Sequence, residues 1–139
     1  MLVQYEDLRT LPFAFGGRYP AALDCFGLLL EVFRRNGIRL PDLYATAGNN
    51  YGRDGNGDGN VNWAIESMFN FGSQWTRVEK PHEGSVLVIS FHGKVADHCG
   101  LALDDKWFVH AAEKVGVVVQ PIRALAVEDR LKGIYDYSG

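Results

Sequence analysis

The chain is poor in every feature that would place it in a special class. Only two cysteines occur in 139 residues, so no disulfide framework is available and at most one bridge can form. No apolar run approaches membrane-spanning length, and no membrane insertion is expected. Basic charge is not in excess: 14 Lys and Arg face 17 Asp and Glu, a net charge of −3. General attraction to nucleic acid or anionic lipid is therefore not expected. The opening "MLVQYEDLRTLPF" lacks a basic start, an apolar core and a small-residue cleavage site, which predicts synthesis in the cytoplasm without a signal peptide. Internal repeats, low-complexity tracts and interdomain linkers are also missing. What remains is ordinary globular material, 47% hydrophobic and 22% charged, in a length that suits a single domain over residues 1–139.

The clearest local signal is a helix over Cys25–Asn36. Asp24 is a good N-cap, because its carboxylate can accept from the orphan amides of the first turn. Leu28, Leu29, Val32 and Phe33 recur at helical spacing. Arg34 and Arg35 suit the negative end of the helix dipole, Gly37 suits the left-handed position after it, and Pro41 follows. A short helical turn is expected over Glu6–Leu11, a loop over "PFAFGGRYPAA", a long polar loop over Tyr44–Asn60 and a second helix over Val61–Phe71.

Beyond "KPHEG" the texture turns to strands: Ser85–Phe91, His98–Leu103, Trp107–Ala111, Gly116–Ile122 and Gly133–Tyr137, with a turn of helix in "RALAVEDRL". Helices first and an antiparallel meander of about five strands after them make an α+β layout.

Cys25 opens the predicted helix, where unpaired amides and the dipole favour a thiolate. Gly27 would keep that turn clear for a substrate. Burial as a small apolar residue is the competing reading. A nucleophilic thiol also needs a base, usually a histidine oriented by a third polar group. His82 and His92 lie in or beside turns with no obvious partner.

His98 and His110 lie in consecutive strands, where side chains alternate between faces. If Asp104, Asp105 and Lys106 form the connecting loop, Leu103 pairs with Trp107 and Gly100 with His110. His98 and His110 are then diagonal neighbours on one face. Gly100 leaves space between them. Cys99, Leu101 and Leu103 fall on the other face, so Cys99 is expected to be structural and to point away from Cys25. A two-residue loop would instead set His110 opposite Cys99. Two surface histidines on one face by coincidence remain the alternative.

Taken in order, "FAFGGRYPAALDCFGLLLEVFRRNGIRLP" and "KPHEGSVLVIS…DHCGLALDDKWFVHA" resemble the NlpC family of papain-like cell-wall cysteine peptidases. That family shows an aromatic-x-aromatic-Gly-Gly motif, Asp-Cys-x-Gly-Leu at a helix start, Pro-x-x-Gly-Asp-Leu, a strand bearing His-Val-Gly and a His-Ala ending the next strand. The resemblance runs from about Phe13 to Ala111. The compact form with "GGR" and "IRLPD" is most similar to members in phage tail-tip and tail-assembly proteins.

The resemblance implies a papain-like fold, with N-terminal helices on a central antiparallel sheet. It also implies attack by Cys25 on an amide of a peptidoglycan stem peptide, between D-glutamate and the diamino acid. His98 would be the base and His110 its orienter, with the Cys25 amide stabilising the oxyanion. Asp24, Tyr19 and Gly100 join the substrate-positioning set. Phage tail-hub proteins are the implied partners, and the periplasm or cell wall the place of action.

The sequence departs from the family pattern at three points. Phe13 stands where a tyrosine commonly offers a hydroxyl to the reacting carbonyl. Loss of one such donor costs about 3 kcal/mol, or ~100-fold in rate, unless Tyr19 replaces it. Phe26 follows the cysteine in place of Ser or Trp, and Gly84-Ser85-Val86 stands for Gly-Asp-Leu. An alternative reading is a weak or inactive structural subunit of a tail tip. Related circular permutants act as acyltransferases or amidases, but here the cysteine precedes the histidines, as in the unpermuted peptidases.

Asp54, Asn56 and Asp58 alternate as in the first half of an EF-hand calcium loop. Position 12 of such a loop is Ile65, however, and Glu66 is one residue late. Calcium is the one cofactor raised, against the simpler reading of a polar surface loop.

Overall fold

The fold grows from one capped helix laid on one sheet. The structure, a computed structural model, describes residues 1–42, 69, 73–91 and 96–139. The helix α1 spans Cys25–Arg35, and its N-cap Asp24 accepts from the Gly27 amide at 2.7 Å. At the other end Gly37 has φ +77°. The Ile38 amide reaches back to the Phe33 carbonyl and the Gly37 amide to that of Arg34, each at 3.0 Å. These two bonds satisfy carbonyls that the helix leaves open, and glycine takes the left-handed backbone without a Cβ penalty. Leu28, Leu29, Val32 and Phe33 are all buried, as their spacing predicts.

Six strands form one antiparallel sheet: β1 (Trp75–Val78), β2 (Val86–Ile89), β3 (His98–Ala102), β4 (Trp107–Ala112), β5 (Gly116–Pro121) and β6 (Leu131–Tyr137). Their order is β1-β6-β2-β3-β4-β5. The meander predicted from sequence holds from β2 to β5. β6 then returns through a 3-10 segment, Ile122–Asp129, to pair with β2 and β1. The extra strand β1 comes from "WTRV", only four residues with one buried side chain, too short to show alternation. Its place is fixed by pairing with β6 rather than by its own pattern.

Both faces of the sheet are covered. On the α1 side Val86, Val88, Cys99, Leu101, Val109 and Ala111 pack with the helix in the larger core. On the other side Leu87, Ile89, Ala102, Phe108 and Ile134 pack against Leu125 of the 3-10 segment. Strand β2, central and buried at all four positions, therefore reads as a continuous apolar run and not as an alternation. Most of the second predicted helix lies outside the described residues, but its Phe69 is helical and buried against Trp75 and Tyr135.

Candidate active site

The register between β3 and β4 sets the site. Leu101 lies opposite Val109 and Ala102 opposite Phe108, and the Leu103 amide donates to the Trp107 carbonyl at 2.8 Å. Asp104–Lys106 is thus the connecting turn, closed by Asp104 Oδ1, which accepts from the Lys106 and Trp107 amides. His98 and His110 become diagonal neighbours, with His98 Nε2 2.8 Å from His110 Nδ1. Gly100 sits between them. A Cβ at Gly100 would lie 3.0 Å from Phe108 Cδ2 and 3.2 Å from His110 Cβ, so any side chain there crowds the pair.

The pair is almost dry. His98 is 9% exposed and His110 2%. The Phe91 ring lies 4.9 Å from that of His98, and Phe108 stacks on His110 at 4.8 Å. The far nitrogen of His110, Nε2, meets Gln120 Oε1 at 2.5 Å. Burial, reinforced by charge on His98, pushes the His110 pKa down to about 4, so this ring is neutral near pH 7.

Cys25 is the first residue of α1, and its amide is among those that helix geometry leaves without an intrahelical acceptor. Its thiol is held well below the usual cysteine range. The strongest cause is hydrogen bonding from Cys99, followed by the charge and hydrogen bond of His98, and these outweigh burial. Cys99 is shifted well upward, by its bond with Cys25 and by its own burial. Of the two thiols, Cys25 is therefore the one that ionises first, and Cys99 keeps its proton. Cys99 Sγ also donates to the Cys25 carbonyl at 3.6 Å. Both cysteines are free, as expected. Cys99 does not point away from Cys25, however: the α1 side of β3 is the side on which the helix start rests.

The loop before α1 is tied to Asp24, which is 3% exposed. Its carboxylate accepts from the amides of Gly16 (3.0 Å) and Gly27 (2.7 Å) and from Arg18 (3.0 Å). Arg18 also holds Asp42 through two contacts of 2.8 and 2.9 Å. Burial and the neighbouring Cys25 charge raise the Asp24 pKa to about 6 despite Arg18 and the two amides. Asp24 therefore secures the loop and cap with both carboxylate oxygens. A Cβ on Gly27 would collide with the Gly17 carbonyl. The space above this turn is thus filled by the chain's own loop, which corrects the expectation that Gly27 clears a path for substrate.

Phe13 lies beside the lead-in to Cys25. Its backbone bridges Leu23, and its ring is edge-on to Phe15 at 5.1 Å. Tyr19 is not brought to the site: it is 44% exposed, and its ring stacks under Arg35 in the last turn of α1, so it cannot replace a hydroxyl at Phe13. His82, expected without a partner, bonds Asp136 Oδ2 at 2.7 Å. His92 and the calcium candidates Asp54, Asn56 and Asp58 lie outside the described residues. Among the described residues no cluster of metal-ligating side chains occurs.

Gln120, Cys99 and Phe91 are the site residues that sequence reasoning missed. Gln120 was within reach of the same parity argument. β5 pairs Gln120 with Phe108 and Val118 with His110, so Gln120 is diagonal to His110 on its face.

The NlpC/P60 family profile matches residues 10–135. A lipoprotein-like NLP/P60 family protein from Staphylococcus aureus superposes with a TM-score of 0.64 at 19% identity, over 96% of this chain and 38% of that one. An NlpC/P60 family protein from Bacillus cereus gives a TM-score of 0.60 at 16% identity, over 93% of this chain and 36% of that one. No curated protein matches significantly in sequence. The chain spans little more than a third of the solved proteins it resembles.

Proposed function

The chain belongs to the NlpC/P60 family, whose members are generally cysteine peptidases or amidases of the cell wall, and from that premise we propose that it is a peptidoglycan endopeptidase. The supporting observation is the buried His98–His110 pair of β3 and β4, 2.8 Å apart, with His98 acting by charge and hydrogen bond on Cys25 at the start of α1. In this reading the Cys25 thiolate attacks the carbonyl of a stem-peptide amide, and the Cys25 backbone amide meets the oxyanion that forms. His98, carrying the thiol proton, delivers it to the departing amine. A water deprotonated by His98 then hydrolyses the thioester. His110, neutral and buried, holds the His98 ring.

The bond between D-glutamate and the diamino acid is the substrate position favoured by the family resemblance. The resemblance of "GGR" and "IRLPD" extends the proposal to a phage or prophage tail tip, with tail-hub proteins as partners. Phe13 favours a second reading, a tail subunit that keeps the fold with little turnover. Incubation with purified muropeptides, followed by mass spectrometry, separates the two. Cleavage within the stem by the natural protein, lost in Cys25→Ala, is the expected result. No product from either protein, together with tight binding to a tail-hub protein, would establish the structural reading.

A further inference from the structure

We propose that Gln120 is a positioning residue: by accepting from His110 Nε2 it fixes the tautomer of His110, and so decides which nitrogen His98 turns to Cys25. The proposal rests on the reading of Cys25, His98 and His110 as the reacting group.

With the Gln120 amide turned so that Oε1 faces His110, the contacts permit one proton arrangement. A side-chain amide oxygen can only accept, so the 2.5 Å contact with Gln120 Oε1 requires a proton on His110 Nε2. A neutral imidazole carries one proton, which leaves His110 Nδ1 as an acceptor. The 2.8 Å contact to His98 Nε2 then requires a proton on that atom. His98 Nδ1 is the ring nitrogen left for the Cys25 thiol. The order runs Gln120 Oε1, His110 Nε2–H, His110 Nδ1, His98 Nε2–H, which leaves His98 Nδ1 for the hydrogen bond that His98 makes with Cys25. When His98 takes the thiol proton, its Nε2–H bond to a neutral acceptor is kept and strengthened.

With the opposite tautomer, His110 would present Nδ1–H to His98, whose Nε2 would have to accept. The single proton of His98 would then sit on Nδ1, and no lone pair would face the thiol. Among the described residues no other hydrogen-bonding partner of the His110 ring selects between the two forms. Phe91 and Phe108 offer ring faces, at 6.1 and 4.8 Å between centroids. The titratable neighbours shown to act on it are His98 from β3 and Cys25 from α1. Gln120 is on an exposed position of β5, so its replacement leaves both cores intact.

Histidine-ring 15N NMR of the whole chain tests the assignment directly, without substrate. From pH 5 to 8 the natural protein should show His110 neutral and protonated on Nε2, and His98 protonated on Nε2. Gln120→Leu should mix the His110 tautomers at unchanged melting temperature. It should also slow alkylation of Cys25 by iodoacetamide at pH 6 about tenfold, the worth of one hydrogen bond. Gln120→Glu, which sets a carboxylate against Nε2–H, should let His110 take a second proton at higher pH. Like charge would then oppose His98, and the acid limb of the alkylation profile should move upward. Muropeptide turnover should lose kcat in Gln120→Leu with KM retained. A His110 protonated on Nδ1 in the natural protein overturns the proposal, as does a tautomer unchanged by Gln120→Leu. The expected spectra without muropeptide cleavage would leave the tautomer assignment standing and sink only the peptidase reading.

Discussion

Gly100 lies directly across from His110 in the β3–β4 ladder, and a methyl group added to it would come within 3.2 Å of His110 Cβ. The two histidines meet because no side chain separates them. Gly100→Ala should push the His110 ring by a few tenths of an ångström and stretch its bond to His98. A small misplacement of this kind costs reactivity before it costs folding. The expected result is a fall in kcat of about tenfold, with a melting temperature lowered only modestly. A variant that cleaves muropeptides at the natural rate would show that the histidine spacing is not critical.

Cys99 is the larger influence on Cys25, ahead of His98. Cys99→Ala removes the hydrogen-bond donor, so the midpoint of Cys25 alkylation against pH should move up. Cys99→Ser keeps a donor and should restore most of the shift. If alanine and serine behave alike, the loss of packed volume at this fully buried position is responsible instead.

Two histidines tie stability to pH with opposite signs. The folded pKa of His110 is depressed from 6.5 to about 4. Its contribution is complete above pH 6.5 and is lost as pH falls toward 4, because the unfolded chain then binds a proton that the folded one refuses. The full effect is about 3 kcal/mol. His82 is raised by its bond to Asp136, so it stabilises below its ordinary pKa and loses that contribution as pH rises through the folded value. Chemical denaturation from pH 4 to 8 should show the acid loss flattened in His110→Gln. His82→Gln should lower stability at pH 5 and leave it unchanged at pH 8.

Phe13 tests whether the site is slow by composition. Phe13→Tyr should raise muropeptide turnover, by up to ~100-fold if the hydroxyl reaches the oxyanion. An unchanged rate in an enzyme that Cys25→Ala silences would remove Phe13 from the oxyanion site.

The helix at Cys25 was legible residue by residue, because caps, apolar spacing and a terminal glycine are local signals. The β3–β4 register was legible too: once a three-residue turn is assumed, strand parity alone brings His98 and His110 together. The same reasoning did not reach β1, whose four residues carry no pattern of their own, nor the insertion of β6 between β1 and β2. Strand order depends on long-range pairing, which local periodicity does not encode.

The sequence by itself determined a capped helix that starts on a cysteine, two histidines of equal parity and a family-like order around them. Only the tertiary structure decided what surrounds those groups. It set α1 on the side of β3 that carries Cys99, and so turned a presumed filler into the hydrogen-bond partner of Cys25. It stacked Tyr19 on Arg35 and away from the site, and it brought Gln120 to the far nitrogen of His110. Each of these follows from how elements pack across the sheet, where burial and hydrogen bonding are settled by neighbours distant in the chain.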